Sequence, residues 1–208
     1  MIDHATLLTY LAVLTGFVLI PGPAVLLTLA RAATSGTRVG MATGLGIAAG
    51  DLIHTCMAVL GLSAILMTSA FLFNVVKYAG AAYLVYLGVR AFLERADLPD
   101  LTPAARVDAR TAFRQAILAE VLNPKSALFF LAFLPQFVRP QNGPVALQLA
   151  TLGVLFVLMG ALSTGLVALC AGRVGRFLRR HPAIWRWQGK AVGTVYCALG
   201  IRMAMQQR

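Results

Sequence analysis

Charged positions are sparse along this chain, and the apolar runs between them are long. No charge occurs among the 26 residues from Ala5 to Ala30. Further apolar runs cover about 39–67, 71–93, 112–138, 144–172 and 184–205. Roughly 20 apolar residues suffice for a helix to cross a bilayer, so the pattern predicts six transmembrane helices. The sixth run contains Arg186, Lys190 and Arg202, but near its ends, where long basic side chains reach the interface. The one long polar stretch, Glu94 to Arg114, divides the chain in two. The expected architecture is one all-α integral membrane domain, 1–208, with a first half 1–93, a cytoplasmic linker 94–111 and a second half 112–208.

Two of the apolar runs are interrupted. The first carries Pro21, Gly22 and Pro23, and the fourth carries Asn123 and Pro124 in the stretch EVLNPKSALFFLAFLPQFV, 120–138. Proline lacks a backbone N–H and clashes with the preceding turn, so a helix kinks or breaks there. In a bilayer, backbone groups freed by a break are tolerated where they line a cavity or meet other protein. Interrupted segments at corresponding places in two halves point to a transport site. The halves echo each other elsewhere, with glycines in segments two and five and Gly88-Val89-Arg90 against Gly200-Ile201-Arg202 ending segments three and six. Three helices per half is an odd number, so the halves run oppositely through the membrane. The predicted fold is therefore two inverted three-helix repeats with helices 1 and 4 broken.

Composition agrees with this picture. Of 208 residues, 59% are hydrophobic and 12% charged, half the charged share of an ordinary soluble domain. The net charge of +11 would point to nucleic acid in a soluble protein, but in a membrane chain basic residues mark cytoplasmic loops. Thirteen of the 18 basic residues fall on the odd-numbered connections and four, Lys77, Arg139, Arg202 and Arg208, on the other side; Lys125 lies within a span. This asymmetry places both termini outside the cytoplasm. The N-terminal run lacks a basic lead and is longer than a signal core, so it reads as a retained helix. Cys56, Cys170 and Cys197 are isolated, without metal or redox spacing.

Few residues are left to carry chemistry. Asp51 follows Gly40, Gly44, Gly46 and Gly50, a small-residue spacing that lets helices approach closely. It lies roughly 15–18 Å into its helix, near the bilayer midplane. A carboxyl there is costly and marks a functional position. His54 is one turn on along the same face. Glu120 and Lys125 flank the second break, five positions apart and off one helical face unless the helix is broken between them. Ser163 and Thr164 offer hydroxyls, and Tyr78, Tyr83 and Tyr86 could stack or anchor at an interface. His4, His54 and His181 are too scattered for a nucleophile–base pair or metal cluster, so no enzyme, metal or cofactor is expected. A passive channel, with Asp51 as a ring of like charges in an oligomer, is the alternative to a carrier.

The ordered set Pro21-Gly22-Pro23, Gly50-Asp51, Leu122-Asn123-Pro124-Lys125 and Phe133-Leu134-Pro135-Gln136-Phe137 resembles the LysE/RhtB family of amino-acid exporters over essentially the whole chain. The resemblance implies a small inner-membrane secondary transporter, driven by the proton motive force, that carries amino acids or close derivatives outward. Its partners would be the amino acid, a proton and membrane lipid, with a homodimer possible and no nucleic acid. It also implies that Asp51 and Glu120 matter. To hold a zwitterion in a low-dielectric site, the breaks at Pro21–Pro23 and Asn123–Pro124 are expected to face each other around a midplane cavity. There helix N-termini would meet a carboxylate, and Asp51 or freed carbonyls an ammonium; Lys125 would either assist the carboxylate or only pair with Glu120.

Overall fold

The computed structural model describes residues 2–19, 22–64, 70–93 and 106–173, and isolated positions between 187 and 205. Pro21, most of the 94–111 linker and the basic stretch after Arg173 lie outside the described residues. The described residues are helices joined by turns. Helix α1 spans His4–Leu19 and α2 spans Pro23–Ser35; Gly36, with φ 92°, separates α2 from α3, Thr37–Met57. That φ is open to glycine and strained for other residues, so Gly36 allows a sharp reversal. A π-helical turn, Ala58–Leu62, continues α3. Helix α4 covers Ala70–Leu93 and α5 covers Ala109–Val121. Helix α6, Pro124–Leu128, runs on through a π turn, Phe129–Phe133, into a 3-10 turn, Leu134–Phe137; α7 is Val145–Leu169.

Thr37–Leu62 and Val145–Leu169 are each long and apolar enough to cross a membrane. Among the described residues the number rises from two to four if each bent pair, His4–Val18 with Pro23–Ser35 and Ala109–Val121 with Pro124–Phe137, is one span; both pairs bend by 48°. The second break follows from local sterics. A residue before proline is pushed out of the helical region, and Asn123 sits at φ −73°, ψ 111° with Pro124 opening the next helix. Gly22, before Pro23, is likewise extended at φ −100°, ψ −172°.

Helix α3 is the centre of the bundle, packed on α2, α5 and α7. In lipid there is no hydrophobic drive to pair helices, so close packing of small residues supplies the attraction. A Cβ on Gly50 would lie 2.6 Å from Glu120 Cβ, which brings α3 and α5 into backbone-level contact. Helices α3 and α7 run antiparallel: Gly40 meets Ala168, Gly44 meets Thr164, and Thr55 meets Gly153. Helix α4 and the last helical residues also run antiparallel, Gly200 lying against Ala81 and Gly193 against Gly88.

One end of the bundle is sealed by a cluster that includes Tyr10, Leu14, Phe129, Phe133, Phe137 and Phe156. The buried Tyr10 hydroxyl donates to the Leu152 carbonyl at 2.7 Å. Buried Gln148 holds the turn before α7, its Nε2 donating to the carbonyls of Arg139 and Gly143 at 2.9 Å and its Oε1 accepting from Arg139 N at 3.1 Å.

Lys77, counted on the outer side, lies near the start of α4 and is buried there.

The start of α5 gives a pH prediction outside the apolar spans. Asp108 caps the helix, accepting from Thr111 N at 3.1 Å. The hydrogen bonds from Thr111 hold its carboxyl below the ordinary value of 3.8. A lowered folded-state pKa means the cap stabilises fully above the unfolded value and is lost as pH falls through the lowered one. Asp108→Ala should melt slightly earlier than the parent near neutral pH, and the gap should close in acid, below 3.8. Thermal melts of both proteins in one detergent across that range check it; a gap independent of pH would rule out the carboxylate as its source.

Candidate functional site

The two breaks lie on one cavity. Its lining includes Gly22 and Pro23 from the first, Asn123, Lys125 and Ser126 from the second, Asp51 from α3, Glu120 from α5, and Gly160, Ser163 and Thr164 from α7. Phe17, Ile47 and Phe156 close it on the apolar side. The cavity measures about 60 Å³, room for a few water molecules. Of the residues expected at the site, Gly22, Pro23, Asp51, Glu120, Asn123 and Lys125 are brought together. Pro124 is exposed and acts by setting the break, while Pro21 lies outside the described residues. Tyr78, Tyr83 and Tyr86 are exposed and stand apart from the cavity.

The two buried carboxyls are held very differently. Glu120 accepts from Asn123 Nδ2 at 3.2 and 3.3 Å and from the Ser126 hydroxyl. Asn123 also caps α6, its Oδ1 accepting from Lys125 N at 3.0 Å. The Glu120 carbonyl takes the Asn123 N–H at 3.0 Å and His54 Nε2 at 3.1 Å. A carbonyl only accepts, so Nε2 carries the proton in that bond. His54 stacks on Phe130 with ring centroids 5.5 Å apart. The freed backbone of the second break is thus tied to its own side chains and to α3. The pairing Asn123-x-x-Ser126 was visible in sequence as an i, i+3 neighbour pair, but nothing marked Ser126 among other small polar residues. Phe17, Ile47, Phe156 and Gly160 carried no signal apart from ordinary apolar membrane helices.

Asp51 is 2% exposed, and its Oδ1 has no hydrogen-bond partner. Its other oxygen faces α7, 3.5 Å from where a Cβ on Gly160 would sit. The carboxyl lies within interaction range of Glu120. Lys125 reaches across the break: its Nζ lies over the Phe17 ring, 4.1 Å from the centroid, and 2.9 Å from the Cβ position of Gly22. One small cavity therefore holds an open carboxyl oxygen and an ammonium resting on an aromatic face.

The family model described as LysE type translocator matches residues 15–207. The chain belongs to the LysE translocator family. Its relatives include an uncharacterized membrane protein of Pseudomonas aeruginosa, 32% identical over 201 residues, 94% of this chain and 93% of that protein. An uncharacterized membrane protein of Vibrio cholerae is 30% identical, covering 95% of each chain. A homoserine/homoserine lactone efflux protein of Salmonella typhimurium is 31% identical over 196 residues, 94% of each chain. No solved structure matches the chain. Membership of a translocator family makes this LysE-family chain a membrane transporter, not an enzyme.

Proposed function

We propose that this LysE-family chain exports amino acids, or close derivatives such as homoserine, from the cytoplasm by exchange for protons. The observation that carries the reading is the open Oδ1 of buried Asp51 in a cavity between two helix breaks. An unsatisfied buried acceptor costs about 1–3 kcal/mol, and a site that binds an ammonium or a proton in alternation turns that cost into coupling. The efflux activity in the name of the Salmonella relative supports the direction and the substrate class.

The proposed topology is six spans in two inverted repeats, with both termini outside the inner membrane. The antiparallel packing of α3 on α7, and of α4 on the last helical residues, supports it, because symmetry-related helices of inverted repeats run oppositely. The matched 48° bends support it too. In this orientation the aromatic cluster and the Gln148 clamp seal the outer end of the cavity.

Two measurements test the reading. Cells overproducing the protein and fed dipeptides should accumulate an amino acid outside, and a protonophore should suppress the accumulation. A reporter active only in the cytoplasm should be silent when fused after Arg208 and active within the 94–111 linker. Accumulation that ignores the protonophore would instead favour a passive channel.

A further inference from the structure

We propose that Lys125 is the residue that reads the substrate's carboxylate, and that Phe17 and Gly22 form its parking place in the empty carrier. The inference rests on the export reading above and adds a specificity determinant to it.

The geometry separates Lys125 from its neighbours' duties. Asn123 and Ser126 occupy the Glu120 oxygens, and the Lys125 backbone N–H is taken by the Asn123 cap. The side chain is left as a flexible four-carbon stem with a point charge at its end. That charge crosses from the second break to the first and sits on the Phe17 face. A ring face holds a cation less firmly than a carboxylate does. A substrate carboxylate entering the cavity therefore offers Lys125 a direct partner that the ring does not, while Glu120 and Asp51 act on the ammonium electrostatically. Gly22 makes the parked position possible, since a Cβ there would lie 2.9 Å from Nζ. The same cavity holds the open Oδ1 of Asp51. An ammonium and a carboxyl oxygen in one cavity are the complement of a zwitterion. A compound with an amine but no carboxylate would engage only Asp51.

The test uses homoserine, which has a carboxylate, and homoserine lactone, which has none, as labelled probes on the full-length protein in proteoliposomes. In Lys125→Met, homoserine transport should fall at least tenfold, the loss expected for one charge-assisted hydrogen bond, while lactone transport stays within about twofold, since no charge-assisted bond is lost. Lys125→Arg, which keeps the charge, should recover part of the homoserine rate. Gly22→Ala should displace the parked ammonium and change the apparent affinity for homoserine more than that for the lactone. Retained lactone transport by Lys125→Met also shows that the variant folds. Equal losses on both probes, or no loss on either, overturn the role given to Lys125 while leaving the export reading standing. Wild-type protein that moves neither probe, in cells that also release no amino acid when fed dipeptides, overturns the export reading, and this inference with it.

Discussion

Glu120→Ala should cost the protein much of its stability. The substitution removes the acceptor for Asn123 Nδ2 and the Ser126 hydroxyl, both buried. A buried donor left unsatisfied costs about 1–3 kcal/mol, so stranding two approaches the margin of about 5–15 kcal/mol that keeps a typical domain folded. The loss also leaves the Lys125 ammonium with one carboxyl fewer in its cavity. Expected are a drop in melting temperature of more than about 10 °C and poor recovery of a monodisperse peak on size exclusion. Glu120→Gln, which keeps the shape and one acceptor oxygen, should lose far less and should still export. An alanine variant that melts within a degree or two of the parent would show that the Asn123–Ser126–Glu120 cluster does not hold the break.

Much of this arrangement was legible in the sequence, and the reasons are local. Proline restricts its own backbone and that of its predecessor, so breaks were expected at Pro21–Pro23 and at Asn123–Pro124; Pro21 lies outside the described residues, and the second break falls at Asn123. Charge is expensive in a bilayer, so Asp51, Glu120 and Lys125 stood out against apolar neighbours. The five-residue spacing of Glu120 and Lys125 made sense only with a break between them, and Asn123 supplies it. Glycine spacing pointed to a tightly packed second helix, which became α3 against α5 and α7.

What stayed hidden depends on partners distant in the chain. Phe17 matters because Lys125 comes to rest on it, 108 positions away in sequence. Ser126 matters because the turn after Pro124 swings its hydroxyl back to Glu120. The π turns, Ala58–Leu62 and Phe129–Phe133, leave no periodicity signal in a uniformly apolar run. Sequence put Asp51 first by its midplane depth and kept Glu120 as the competing proton site. Geometry adds a difference of another kind, giving Glu120 hydrogen-bond donors and leaving one oxygen of Asp51 bare.

That difference leads to the expectation for Asp51→Asn: a folded, inserted protein that has lost gradient-driven export. The substitution keeps the size of the side chain and its interaction range to Glu120, so the contacts of Gly50, Gly160 and Thr55 around it need not change. What it removes is the ability to gain and lose a proton and to offer a charged oxygen to an ammonium. One charge-assisted hydrogen bond accounts for roughly a 10- to 100-fold loss of net export. Two carboxyls in one small cavity also repel when both are charged, and in the proposed exchange cycle a travelling proton would relieve that repulsion. A fixed neutral amide relieves it permanently, so the empty carrier can reorient without carrying a proton, and the gradient no longer drives the cycle. Exchange of substrate for substrate, which needs no proton to travel, should survive in part. Asp51→Glu retains a titrating group and should be milder, limited by the extra methylene in a cavity of about 60 Å³. The comparison is net efflux with and without a protonophore, beside counterflow, in Asp51→Asn and Glu120→Gln. Wild-type efflux and protonophore sensitivity in Asp51→Asn, with both lost in Glu120→Gln, would move the proton site to Glu120 and leave the bare oxygen of Asp51 a structural cost.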